Sequence, residues 1–208
     1  MGRRDRSEIQ LVRSAIRVKP WSQATPTTDE VRPSHCPACG AASREVGRSL
    51  TLWGHGLRDR QVRGPVAPGE SPTLTTIALR RYTCRRCHTT CTVAPAEVQR
   101  GRHFSKGAIA WAIALYGLCR RSPAEVRRRV SPWSTVGPSA ATGWVTLRRW
   151  ILAISGAALF AGIGPLTGDA KLRDRALRIA SALAGHCPVR HSGEPLDHQT
   201  FHGAVCMA

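Results

Sequence analysis

Two cysteine pairs constrain the fold of this chain more than any other feature: Cys36-Pro37-Ala38-Cys39-Gly40 and Cys84-Arg85-Arg86-Cys87. Each CxxC sets two thiols on one tight backbone turn, and two such turns offer the four soft ligands that Zn²⁺ takes tetrahedrally. Gly40 directly follows the first pair and supplies the positive φ that such a turn often needs. The run before the second pair, 74–83, is rich in β-branched and aromatic residues and is predicted to be a strand entering the metal site. Cys36, Cys39, Cys84 and Cys87 are therefore the predicted ligands of one structural Zn²⁺.

Other chemistries share parts of this spacing. Cys84-Arg85-Arg86-Cys87-His88 matches the CxxCH pattern of covalent haem attachment. That attachment occurs outside the cytosol, and Met1-Gly2-Arg3-Arg4-Asp5-Arg6 leads into no apolar export segment. A thioredoxin-like redox pair at Cys36 and Cys39 lacks a surrounding βαβ pattern. Structural disulfides fit poorly with eight cysteines and no export signal. These readings place the protein in the cytoplasm. His35, His88 and Cys91 stand beside the four cysteines; His88 or Cys91 could replace one ligand, although such neighbours more often only surround a site. Cys119 reads as a small buried residue, and Cys187 and Cys206 as thiols of a tail.

Charge narrows the partner. The chain has 31 Lys+Arg against 13 Asp+Glu, a formal net charge of +18, and such a field attracts polyanions. Arginine outnumbers lysine 28 to 3, which suits bidentate contact to phosphate and guanine but also follows from a G+C-rich coding bias. The basic residues are spread over Arg3-Arg4, Arg80-Arg81, Arg85-Arg86, Arg120-Arg121, Arg127-Arg128-Arg129 and Arg148-Arg149, so several modules would share the contact.

Pro-rich and polar stretches divide the chain into a basic disordered arm (1–30), a zinc ribbon (31–97), a helical domain (104–185) and an unstructured tail (186–208). Segment 64–72 reads as a loop between two strands, and 49–56 as a short strand and turn with Trp53 covering the small core. No internal repeat is present. In the helical part, Ile109, Ala112, Ile113 and Tyr116 recur at helical spacing within 105–118, and Gly117 ends or bends that helix. Ser122-Pro123-Ala124-Glu125 has the form of a capping box for a short helix reaching about Val130. After a loop over 131–138, a third helix is predicted from Ser139, with Trp144, Leu147, Ile151 and Ile154 on its apolar face. The fold class is thus α+β: a small β zinc ribbon followed by a helical domain, with disordered termini.

Helix, turn, short capped helix, loop and a helix with an inward stripe is the order of a helix-turn-helix unit. Ala140, Gly143, Ser139, Thr142 and Thr146 are small enough to let the last helix approach base edges, and Arg148 and Arg149 would reach phosphates or a guanine. Arg127 and Arg128 on the short helix, with Arg80, Arg81, Arg85 and Arg86 in the ribbon, complete the predicted DNA contacts. The loop exceeds the usual turn of about three or four residues, so an ordinary three-helix bundle stays open as an alternative.

Taken together, these motifs resemble the N-terminal regions of bacterial insertion-sequence transposases, which open with a CPxCG ribbon, continue through a basic strand ending in R-R-Y-x-C-x-x-C, and lead into a helix-turn-helix. The resemblance covers 33 to about 155 and rests on Cys36, Pro37, Cys39, Gly40, His55, Gly56, Arg80, Arg81, Tyr82, Cys84 and Cys87, with the two helices beginning at Ser122 and Ser139. It implies recognition of terminal inverted repeats, with strand transfer performed by a separate RNase H-like domain.

No such catalytic part is expected within this sequence. Two-metal phosphoryl transfer needs carboxylates gathered from several strands, and beyond Ile154 only Asp169, Asp174, Glu194 and Asp197 are available. Asp169 and Asp174 fall at the start of a predicted helix over 169–184, where caps and surface ion pairs explain them. No enzymatic activity is expected. The chain reads as a free-standing module or the truncated relic of a longer protein. The uncharged stretch 150–168, preceded by Arg148-Arg149, raises a membrane span, but Ser155, Gly156, Gly162, Gly164 and Pro165 dilute its apolar content, and no membrane association is expected. Two functions remain: a sequence-directed DNA-binding protein, with monomer and homodimer both open, or a zinc-stabilised basic interaction or RNA-binding module without base readout.

Overall fold

The computed structural model describes residues 10–44, 47–134, 143–166, 168 and 170–207. The protein is α+β, with a four-stranded sheet and six α-helices among the described residues. The chain separates into two units, 1–61 with 76–100, and 62–75 with 101–208.

The sheet is ordered β1-β4-β3-β2. β1 (Gln10–Ser14) runs parallel to β4 (Thr90–Pro95), with Gln10 opposite Cys91. β3 (Thr73–Cys84) is antiparallel to β4, with Arg80 opposite Val93 and Thr83 opposite Thr90. The expected strand over 74–83 is therefore present and ends on a cysteine of the second pair. β4 is buried from Cys91 to Pro95, as a strand flanked on both edges reads when its faces are covered. β2 (Leu52–Gly64) forms the edge and is longer than the short strand expected at 49–56. Its pleat turns Leu52 inward, fully buried, and leaves Trp53 43% exposed, so Trp53 does not cover the core.

The arm over 1–30 is not disordered where it is described; residues 1–9 lie outside the described residues. β1 joins the sheet, and α1 (Val18–Gln23) buries Val18 and Trp21. The Trp21 indole donates to the Ala78 carbonyl at 2.9 Å. Glu97 accepts from the Val18 amide at 3.1 Å and pairs with Arg17, which fixes the start of α1. The basic composition had concealed these few apolar anchors, and one buried tryptophan outweighs many solvated arginines in placing a segment.

In the second unit α2 (Lys106–Gly117) packs against α5 (Leu172–Ala184) and α6 (Leu196–Cys206), with α3 (Pro123–Val130) and α4 (Val145–Ser155) beside it. α2 is buried on all sides rather than along one stripe: Lys106 to Leu115 are all buried, and the alternating alanines at 108, 110, 112 and 114 let neighbours approach. Ser105 caps it by accepting from the Ala108 amide at 3.1 Å. The capping box at Ser122 and Glu125 forms as expected, with both reciprocal hydrogen bonds made.

Three expectations fail in this unit. α4 begins at Val145, not Ser139: Gly143 and Trp144 precede it, and Trp144 is extended at φ −80°, ψ 96°. Trp144 packs edge-on to Phe104 and Trp150, at 5.9 and 5.1 Å between ring centroids. Ser139, Ala140 and Thr142 lie outside the described residues. The expected unstructured tail, 186–208, is ordered where it is described, to residue 207: α6 buries Thr200 and adds Phe201, Ala204 and Val205 to the shared core. Cys119 is exposed rather than buried. The expected helix over 169–184 is present as α5, and Asp169 lies outside the described residues. Among the described residues no helix is long and apolar enough to cross a membrane; within the uncharged stretch, 150–155 form the rear of α4 and Ala161–Ile163 a 3₁₀ turn.

Candidate metal centre and basic surface

The two cysteine turns repeat one hydrogen-bond scheme. In the first, the Gly40 amide donates to the Cys36 carbonyl at 2.9 Å and the Cys36 amide to the Ala41 carbonyl at 2.8 Å. In the second, the His88 amide donates to the Cys84 carbonyl at 2.9 Å and the Cys84 amide to the Thr89 carbonyl at 3.0 Å. Gly40 and His88 occupy equivalent left-handed positions, at φ 71° and 59°. The histidine that completes the CxxCH pattern is thus a turn residue, exposed and outside the four-sulfur cluster. A side chain there carries the left-handed cost that glycine avoids. His88→Gly should match or exceed the wild-type unfolding midpoint, whereas His88→Val should lose about 1–2 kcal/mol, read by urea denaturation.

The four thiols converge: Cys36 Sγ is 3.7 Å from Cys87 Sγ, and Cys39 Sγ is 3.8 Å from Cys84 Sγ. A disulfide needs about 2.05 Å, whereas metal–sulfur bonds of about 2.3 Å place tetrahedral sulfurs about 3.8 Å apart. The geometry fits four ligands of one ion, and Cys36, Cys39, Cys84 and Cys87 are a cluster able to hold a metal. Burial pushes the Cys36 thiol up to about 12. Burial also opposes ionisation of Cys87, but hydrogen bonds from Thr89 and from Cys39 and Cys84 outweigh it and bring that thiol down to about 6. Cys91 is a buried thiol on β4, pushed up to about 11 by burial, and does not belong to the cluster. His35 is exposed beside Ser34.

The expected nucleic-acid contacts divide by location. Arg85 and Arg86, between two metal-capable cysteines, are exposed, and the Arg85 guanidinium lies 4.1 Å from the centre of the Trp53 ring. Arg80 and Arg81 are half-buried, and Arg80 donates to the Pro26 carbonyl at 2.7 Å, so it serves the fold. In the other unit Arg148 and Arg149 are exposed on α4 and Thr146 is half-buried. Arg127 and Arg128 line an open cleft of about 610 Å³ together with Pro72, Pro132 and Trp133. The Arg127 Nε is buried and has no hydrogen-bond partner among the described residues.

One group escaped the sequence reading: the side chains of His191, Glu194 and His202 converge near the C-terminus. Four of the eight histidines, at 186, 191, 198 and 202, fall in that short segment, a signal that the unstructured reading of the tail obscured.

Fold and site together define an α+β protein with a four-cysteine centre suited to a metal ion. Comparison with protein families, with curated proteins and with solved structures finds no match for this chain.

Proposed function

We propose that this chain is a zinc-dependent DNA-binding protein, similar in kind to the DNA-recognition region of insertion-sequence transposases, and that it carries out no strand transfer of its own. Zn²⁺ is the ion that a closed set of four cysteines favours. The observation that carries the proposal is the second cysteine turn. A metal held by Cys84 and Cys87 would fix Arg85 and Arg86 on a solvent-facing rim, with the Trp53 ring alongside. Arginine beside an exposed aromatic ring is an arrangement that meets phosphate and base together. The +18 charge and the cleft carrying Arg127 and Arg128 add to it. Of the late carboxylates, Asp197 accepts from the Trp111 indole at 3.0 Å and Glu194 faces histidines, which favours structural roles.

A second reading rests on the same exposed Trp53. Stacking on an unpaired base requires no duplex, so single-stranded nucleic acid or RNA is the alternative target.

Substitutions separate the roles. Arg127→Ala is expected to weaken all DNA sequences equally and to reduce the salt slope by about one unit. Arg148→Ala, on α4, is expected to relax discrimination by about 1–3 kcal/mol at one position of the site. Fluorescence-anisotropy titrations with matched and mismatched duplexes measure both; equal loss for every sequence in both variants contradicts base readout. Arg85→Ala should weaken binding to duplex and single strand alike if the rim contacts phosphate.

A further inference from the structure

We propose a second metal site in the helical unit, formed by His191, Glu194 and His202, which binds a divalent transition ion of the zinc class through two imidazole nitrogens and one carboxylate. The proposal is independent of the nucleic-acid reading.

Local structure brings the three side chains together. His191 ends a 3₁₀ turn, Val189–His191, and the Glu194 amide donates back to the His191 carbonyl at 3.1 Å. The Gln199 side chain, one turn into α6, donates to the carbonyls of Ser192 and Glu194 at 2.9 and 2.7 Å and ties this loop to the helix. His202 stands on α6 next to Phe201, which is 1% exposed and anchors the helix in the core. The ligands therefore project from a packed helix and from a loop that the helix itself holds.

The donor atoms are close enough for one ion. Glu194 Oε1 lies 2.5 Å from His191 Nδ1, and Glu194 Oε2 lies 3.2 Å from His202 Nε2. One ligand atom from each residue lies within 4.8 Å of the others. Bonds of about 2.0–2.2 Å to nitrogen and oxygen place tetrahedral donors roughly 3.3 Å apart. The His202 spacing already meets that distance, and the His191 contact has to open by less than about 1 Å. The His191 and His202 rings lie parallel, 3.7 Å apart at 4°. His198 Nδ1 lies 3.7 Å from Glu194 Oε2 but outside the three-residue cluster, so water would take the fourth position.

Chemistry selects the metal class. Two imidazoles and a carboxylate suit Zn²⁺, Co²⁺ or Ni²⁺ better than Mg²⁺ or Ca²⁺, which prefer all-oxygen shells. The three side chains are 23%, 34% and 12% exposed, so an ion can enter from solvent. Its effect would be to join the loop over 189–195 to α6. The donor set differs from the four-cysteine cluster, which makes the two sites separable by spectroscopy.

The test uses the full chain without an affinity tag, thiols reduced, stripped with chelator and titrated with Co²⁺ alone. The expected result is two ions per chain by plasma emission, one showing thiolate-to-metal charge transfer and one without it. Glu194→Gln keeps the size of a half-exposed side chain and should fold; it is expected to weaken the ion without charge transfer by at least about tenfold. His202→Ala should remove that ion and leave the charge-transfer band intact. One ion per chain in the wild type overturns the proposal, as does a second ion whose affinity is unchanged in Glu194→Gln.

Discussion

Cys84→Ser is expected to remove one zinc ion per chain and to abolish the cooperative unfolding of the sheet-bearing unit. Cys84 is fully buried, ends β3 and begins the second cysteine turn, so the loss falls where the sheet meets the metal. A hydroxyl does not replace a thiolate toward Zn²⁺, and the remaining sulfurs would stay crowded and partly buried. Structural zinc contributes an apparent ~10–16 kcal/mol to small metal-dependent folds, which matches or exceeds the whole stability of a typical domain, about 5–15 kcal/mol. Loss of the ion should therefore leave this unit unfolded rather than weakened. Cys91→Ser provides the contrast: that thiol is equally buried, but it lies outside the cluster and should keep the ion at a cost of a few kcal/mol in packing. Metal content by plasma emission and urea unfolding by circular dichroism distinguish the two. Loss of the ion in Cys91→Ser, or its retention in Cys84→Ser, contradicts the ligand assignment.

Gly203→Ala should be the most damaging addition of a single methyl group to the helical unit. An ideal Cβ at this position would sit 1.8 Å from the Leu183 carbonyl oxygen and 2.9 Å from its carbonyl carbon. These are backbone atoms of α5 and cannot rotate away, so α5 and α6 would have to part, opening the core around Ala180, Leu183, Phe201 and Ala204. Overpacking that no side chain can relieve costs about 3 kcal/mol or more, or upward of about 10 °C in thermal midpoint for a unit of this size. Gly193→Ala, where a Cβ meets nothing within 4 Å, should stay within about 0.5 kcal/mol of wild type. Calorimetry reads both. An unchanged midpoint in Gly203→Ala would mean that α6 does not pack against α5.

What the sequence made legible was local chemistry. The four cysteines were readable because a CxxC turn encodes its own geometry, and the capping box at Ser122 because its partners lie three residues apart. The strand entering the centre was readable from its β-branched and aromatic run. What stayed hidden depends on distant partners. Trp21 finds Ala78 and Glu97 finds Arg17 across long stretches of chain, so an arm that is basic by composition acquires a strand and a helix. α6 shows only Phe201, Ala204 and Val205 as an apolar face, diluted by histidines, and is stabilised by the surface α5 and α2 offer it. Trp53 points outward because the pleat of β2 is set by Leu52, a register that local pattern did not fix. The start of α4 was misplaced because Trp144 packs as an aromatic anchor ahead of the helix rather than within it.

The measurement that bears most directly on a metal-organised DNA reader is a binding titration of the reduced, zinc-loaded chain. It compares a duplex flanking its own gene with a scrambled duplex of equal length, at several salt concentrations. The expected result is a preference for the native flank of more than about tenfold at physiological salt, superimposed on a steep salt dependence. Equal affinity for both duplexes at every salt concentration would contradict sequence-directed DNA binding and leave a basic zinc module that holds phosphate without reading bases.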